Sequence, residues 1–384
     1  MLAITNARIH TGTGETIEEG TILLRDGKIV ALGKDIDVPA GAEIFDAGGR
    51  PVTPGLVEAH GHVGLANEGV GWEGDDVNET IDPVTPHISA LDGINARDRG
   101  FDDFLRGGIT SVQIKPGSAN ILGGSAVAVK TGPNNAADDM IIKANTGMKA
   151  ALGENPKRAH GADKDRAPYT RMGSAAIMRD WLFRAREYVE KRTASDSKTG
   201  YDAKLEALAP VIRGEIPLRI HCHRADDMLT AIRIAEEFDV PYTLEHATQG
   251  FKIPEYLAER RVSCAVGPSM SREAKVELEG VGFETAVAFQ RAGVPFCLTT
   301  DHPVIRALYL HMIAGKASAA GIGPDAALAA VTASAAEHIG IADRVGSLET
   351  GKDADVVVWS DDPLDGRSHP VRVIIDGEIV YERE

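Results

Sequence analysis

The stretch "PGLVEAHGHVGL" at residues 54–65 places two imidazoles, His60 and His62, on either side of a single glycine. In an extended chain, side chains two residues apart point to the same side. Both rings therefore aim at one point, and Gly61 leaves room for close approach. One buried histidine is ordinarily a satisfied core residue. Two on one strand face, closing a run that opens with Leu56 and Val57, predict a metal. The placement recurs: "LRIHCH" ends in His221 and His223, "YTLEHA" carries His246, and "PFCLTTD" ends in Asp301, followed by His302. Four strand ends that each deliver an imidazole or a carboxylate predict one divalent transition-metal site. Imidazole suits Zn, Mn, Fe or Ni, and a carboxylate compensates charge.

Such convergence needs a scaffold. Helix-like stretches at 95–107, 174–193, 226–238, 303–319 and 325–339 alternate with short apolar runs such as "ITSVQIK", "VSCAVG" and those above. Alternation over nearly three hundred residues predicts an α/β fold with parallel strands. No GxGxxG or GxxxxGK[ST] loop opens any unit, which disfavours dinucleotide and P-loop folds. A (β/α)8 TIM-like barrel fits better, because it gathers functional groups at the C-terminal ends of its strands. Both chain ends read differently. Residues 1–55 and the far C-terminus are short strands with Asp26-Gly27 and Asp376-Gly377 as turn signals. We expect a barrel over residues 56–345 and a small β-sandwich domain made by 1–55 together with 346–384.

Bulk properties narrow the function. With 384 residues, 43% hydrophobic and 26% charged, the chain has the composition of a soluble globular protein. A net charge of −16 argues against a nucleic-acid partner and gives a field that mildly favours a neutral or cationic small substrate, beyond its ordinary role in solubility. Cys222, Cys264 and Cys297 form no CxxC pair, which points to a reducing compartment. Neither a signal-peptide pattern nor a membrane-length apolar run occurs, so the expected location is the cytoplasm, without a membrane partner.

The combination of "PGLVEAHGH", "RIHCH", "LEHAT" and "TTDHP", closed by "ADRVGSLETGKDADVVVW", resembles the metal-dependent amidohydrolase superfamily over essentially the whole chain. Among its branches it is most similar to imidazolonepropionase-related and prolidase-like members, although the latter have "EHG" where this chain has "EHA". The resemblance implies His60 and His62 as first-strand metal ligands, His221 and His246 as those of the fifth and sixth strands, and Asp301 as the eighth-strand aspartate. That aspartate touches the metal and moves the proton in catalysis. It also implies one or two divalent ions, Zn first and Mn or Fe as alternatives, and a homo-oligomer.

A binuclear site needs a bridging anion, in this superfamily a carboxylated lysine or a glutamate. Glu154 is the preferred candidate as a direct ligand, because "AAL" and a glycine precede it in the manner of a strand end; the rival for it is a salt bridge to Lys157 or Arg158. Lys143, Lys149 and Lys115 are the candidates for carboxylation. Lys115 could instead anchor a substrate carboxylate, and Arg224 could grip one bidentately or pair with Asp226 or Asp227. His223 is read as a substrate contact or a support for the ligands, and His302 as a substrate contact or an orienter of Asp301. His87 could reach the site from the loop after the first strand. Residues 117–132 read as a hairpin at the barrel mouth or a surface loop.

Deaminase branches carry a glutamate three positions after the fifth-strand histidine, and here that position is Arg224. The expectation is therefore hydrolysis of a C–N amide bond in a cyclic amide, dipeptide or N-acyl amino acid. The alternatives are a lactonase or esterase, then a deaminase, and more remotely a non-catalytic homologue.

Overall fold

The computed structural model describes residues 1–133, 136–193 and 199–383. The chain opens with five strands: β1 (Leu2–His10), β2 (Thr16–Arg25), β3 (Lys28–Gly33), β4 (Glu43–Asp46) and β5 (Pro51–Pro54). Eight more follow: β6 (Leu56–Gly61), β7 (Ile109–Ile114), β8 (Leu122–Lys130), β9 (Ile141–Ala151), β10 (Leu218–Cys222), β11 (Tyr242–His246), β12 (Cys264–Val266) and β13 (Phe296–Leu298). It ends with β14 (Val356–Trp359), β15 (Pro370–Ile375) and β16 (Glu378–Glu382).

β6 to β13 are hydrogen-bonded neighbours in sequence order, and a Gly61–His302 bridge brings the first and last together into a nearly closed barrel. The strands differ from an all-parallel expectation at one place. β6 and β7 run parallel, as do β9 to β13, but β8 is antiparallel to both of its neighbours. Only residues 115–121 separate β7 from β8. A parallel return needs a crossover of a dozen residues or more, so this link can only reverse the chain. The segment 117–132, expected as an inserted hairpin or surface loop, thus supplies a barrel stave.

Helices pack outside the staves. The helix Ala225–Phe238 is representative, burying Met228, Ala231, Ile232, Ala235 and Phe238 along one stripe. Asp226 and Asp227 occupy its first turn, where the helix dipole favours acids, and Asp239 ends it at a φ of 55°. That stripe seals the outer face of β10 and β11, whose ends carry three of the histidines.

The other eight strands, from both chain ends, form a second sheet in the order β16-β15-β14-β5-β1-β2-β3, with β4 on β1. Ile4, Ile9, Ile22, Val52, Val356 and Ile374 bury its own apolar cluster. Lys130, at the end of barrel strand β8, ties the two sheets together through Asp355 at 2.7 Å, Asp353 at 3.0 Å and Asp376 at 3.2 Å.

Candidate metal centre

Strand alternation brings the expected donors to one end of the barrel. His60 lies in β6 with His62 just beyond it; His221 and His223 flank the end of β10; His246 closes β11; Asp301 follows β13. Their donor atoms form two groups, His60–His62–Asp301 and His221–His223–His246, each within 4.8 Å. The groups adjoin: ring centroids are 4.6 Å apart for His60 and His246 and 4.4 Å for His221 and His246. His246 and Asp301 hold φ values of 73° and 54°, a conformation that costs non-glycine residues energy and is found where side chains must be aimed.

The rings are held for ligation. His60 Nδ1 donates to Glu245 Oε2 at 2.6 Å, His62 Nδ1 to the Lys115 carbonyl at 2.8 Å, and His246 Nδ1 to the Gly267 carbonyl at 2.8 Å. His223 Nδ1 shares a 2.8 Å hydrogen bond with Thr248 Oγ1. Fixing one nitrogen sets the tautomer and leaves the other with its lone pair toward a metal. His221 differs, because its buried Nδ1 has no partner among the described residues while Nε2 lies 3.3 Å from Asn155 Nδ2. Burial holds His60, His221 and His223 well below the usual imidazole range and lowers His246 to about 4. For these four rings burial favours the neutral form, the one that binds metal.

Asp301 Oδ1 stands 3.2 Å from His62 Nε2 and 3.6 Å from His60 Nε2. Burial would raise its carboxyl, but the imidazoles of His246, His62 and His60 outweigh that and hold it below the ordinary carboxylate range. Fully buried Lys149, on β9, puts Nζ 3.3 Å from His60 Nε2. Burial, reinforced by the charge of Lys115, lowers its amine to about 7. Five clustered imidazoles with one carboxylate and a neighbouring buried lysine fit a divalent transition metal by donor chemistry.

Other expected residues lie elsewhere. Glu154 is not among the clustered donors: its carboxylate pairs with Arg158 at 2.5 Å, because the chain has left β9 at Ala151 and turned at Gly153 (φ 94°). Lys115 is buried and engaged by Glu245 at 2.9 Å and the Ala59 carbonyl at 3.1 Å, so it is not free to anchor substrate. Arg224 precedes the helix after β10 without capping it and pairs with Asp226 at 2.8 Å, away from the cavity lining. His302 is buried behind the site, its ring 5.2 Å from Phe104 and its Nδ1 accepting from the Ala307 N–H at 3.2 Å. Lys143 reaches the Gly340 carbonyl at 3.1 Å on the exterior, and His87 is exposed.

The donors floor a cavity of about 560 Å³, which His223 also lines. Sequence reasoning missed several of its neighbours. Asn78, Arg272 and Lys275 line the walls from loops without periodicity, and Asn155 from the single helical turn Glu154–Pro156. Glu245, one residue before His246, is a buried hub; it was legible only as the other half of "EH". Glu58, two residues before His60, is buried, bonded to Thr299 and Thr300, and raised by burial to about 7.

The sequence profile of the amidohydrolase family matches residues 52–380. This chain belongs to the amidohydrolase family. The crystal structure of an amidohydrolase from Thermotoga maritima covers 100% of both chains with a TM-score of 0.96 at 41% identity. Amidohydrolase tasK of Hapsidospora irregularis is 32% identical over 395 residues, 95% of this chain but 39% of that protein, so the chain spans about two fifths of that relative. Imidazolonepropionase of Mesorhizobium japonicum is 24% identical over 394 residues, 92% of this chain and 90% of the relative. The likenesses place the chain among the amidohydrolases and count imidazolonepropionases among its relatives. Among its described residues, no helix is long and apolar enough to cross a membrane.

Proposed function

We propose that this amidohydrolase uses divalent metal to hydrolyse a C–N amide bond in a small molecule: a cyclic amide, a dipeptide or an N-acyl amino acid. The observation that carries the reading is the pair of adjoining donor groups, His60–His62–Asp301 and His221–His223–His246, on one cavity floor. Zn is the first candidate, with Mn and Fe as alternatives. His60, His62, His221, His246 and Asp301 are the proposed ligands, and His223 either joins them or contacts substrate.

Lys149, rather than Glu154, is the proposed bridge between two ions. Its amine adds CO2 in the neutral form, releasing a proton and giving a carbamate anion. An amine with a pKa near 7 is neutral in substantial part at physiological pH. The metal, when bound, polarises the scissile carbonyl and makes water a better nucleophile at neutral pH. Asp301 accepts the proton that the attacking water gives up and delivers it to the departing amine. Its carboxyl, held below the ordinary range by the surrounding imidazoles, is ionised and so has a lone pair to offer that proton. Arg224, engaged by Asp226 and outside the cavity lining, supplies no acid for deamination.

The test compares an amide and an ester of one acyl group with metal-loaded protein and with D301N. We expect amide turnover, reduced on the order of 10³-fold in kcat by D301N. Cleavage of the ester alone, or full amide activity in D301N, would overturn the reading.

A further inference from the structure

The cavity has two cationic walls, and only one is spent. Lys275 Nζ lies 2.6 Å from Glu277 and 2.6 Å from Asn155 Oδ1, so its charge is compensated in place. Arg272 lines the same cavity, is exposed to solvent and has no carboxylate partner among the described residues. Its loop, which follows β12, is rich in acids, yet each is turned elsewhere. Glu273 accepts from the Gly280 N–H at 2.9 Å, Glu277 is buried against Lys275 and the Glu154 N–H, and Glu279 faces Gln249 and Lys252. The guanidinium is left bare at the mouth of a protein with a net charge of −16. A field of that sign disfavours anions, so an exposed arginine without a carboxylate partner among the described residues, lining the cavity over the donors, is a local reversal of it. Val77, Met270, Leu278, Val304 and Ile305 give the cavity an apolar share of its wall beside the polar Asn78, Ser118 and Ser271.

We infer that Arg272 selects substrates that carry a carboxylate beside the scissile amide, which makes the preferred class N-acyl amino acids or dipeptides with an apolar side chain. This rests on the hydrolase reading above and moves the carboxylate anchor from Arg224 and Lys115 to the loop after β12. A guanidinium fork matches a carboxylate bidentately, and an ammonium reproduces the charge but not the fork.

The probes are N-acetyl-L-leucine and N-acetyl-L-leucinamide, which differ only in the carboxylate. Binding of each to metal-loaded wild type, R272M and R272K is measured by calorimetry, and acetate release is followed separately. Wild type should prefer the carboxylate; R272M should reduce the preference by roughly 10- to 100-fold, and R272K should restore part of it. Thermal melting checks that the exposed substitutions leave the fold intact. Equal binding of the two probes by wild type, or an undiminished preference in R272M, overturns the assignment. Carboxylate-selective binding that depends on Arg272, with no acetate released from either probe, would instead sink the hydrolase reading and leave the assignment standing.

Discussion

Glu245 holds the candidate centre from beneath. One oxygen accepts from His60 Nδ1 at 2.6 Å and Lys115 Nζ at 2.9 Å, and the other from Thr243 Oγ1 at 3.0 Å and His338 Nε2 at 3.2 Å, with Arg219 3.7 Å away. Burial would raise this carboxyl, but Lys115 and His338 outweigh it and keep it well below the usual range. The same burial lowers Lys115 to about 8, against the pull of Glu245. Breaking such a network strands the buried partner charge. E245Q should cost on the order of 3–5 kcal/mol, read as a lower urea midpoint. An unchanged midpoint would mean that the network carries no such weight.

At the scale of elements, the barrel and the second sheet meet through acids and bases. Asp353 is nearly inaccessible and takes Lys28 at 2.7 Å, Arg344 at 2.7 Å and Lys130 at 3.0 Å. Burial raises its carboxyl, but Arg344, Lys130 and Lys28 together bring it down to about 2 from an ordinary 3.8. A depressed carboxyl stabilises the fold above its unfolded pKa, and that contribution is lost as pH falls from 3.8 toward 2. The linked stability is roughly 2 kcal/mol. D353N should therefore be less stable than wild type near neutrality, with the gap narrowing as pH falls below about 4. A gap in urea midpoint that stays constant with pH would contradict this.

Element boundaries also explain what was legible beforehand. His60, His62, His221, His246 and Asp301 could be read because strand alternation forces alternate side chains to one side and the barrel collects strand ends. Glu154 lies outside the clustered donors because Gly153 turns the chain, so strand parity no longer governs the next side chain. Lys149, inside β9, obeys the parity and faces His60, but three lysines competed and nothing in the sequence ranked it first. The antiparallel β8 was readable only from the shortness of 115–121, a length too small for a crossover. Arg272 and Lys275 lie on a loop, where no period predicts direction.

For the whole molecule, the central claim is that two donor groups at one barrel end hold divalent metal for hydrolysis. Metal bound only by the folded state also stabilises it, by about 2.7 kcal/mol at a hundredfold excess over Kd, so chelation should lower the melting temperature and added metal should restore it. The most direct test is metal content per chain by inductively coupled plasma mass spectrometry, on protein purified without added metal and again after incubation with Zn, Mn or Fe. The account predicts about two equivalents, falling toward one when Lys149→Ala removes the bridge. Protein that takes up essentially no metal under any of these conditions would contradict it.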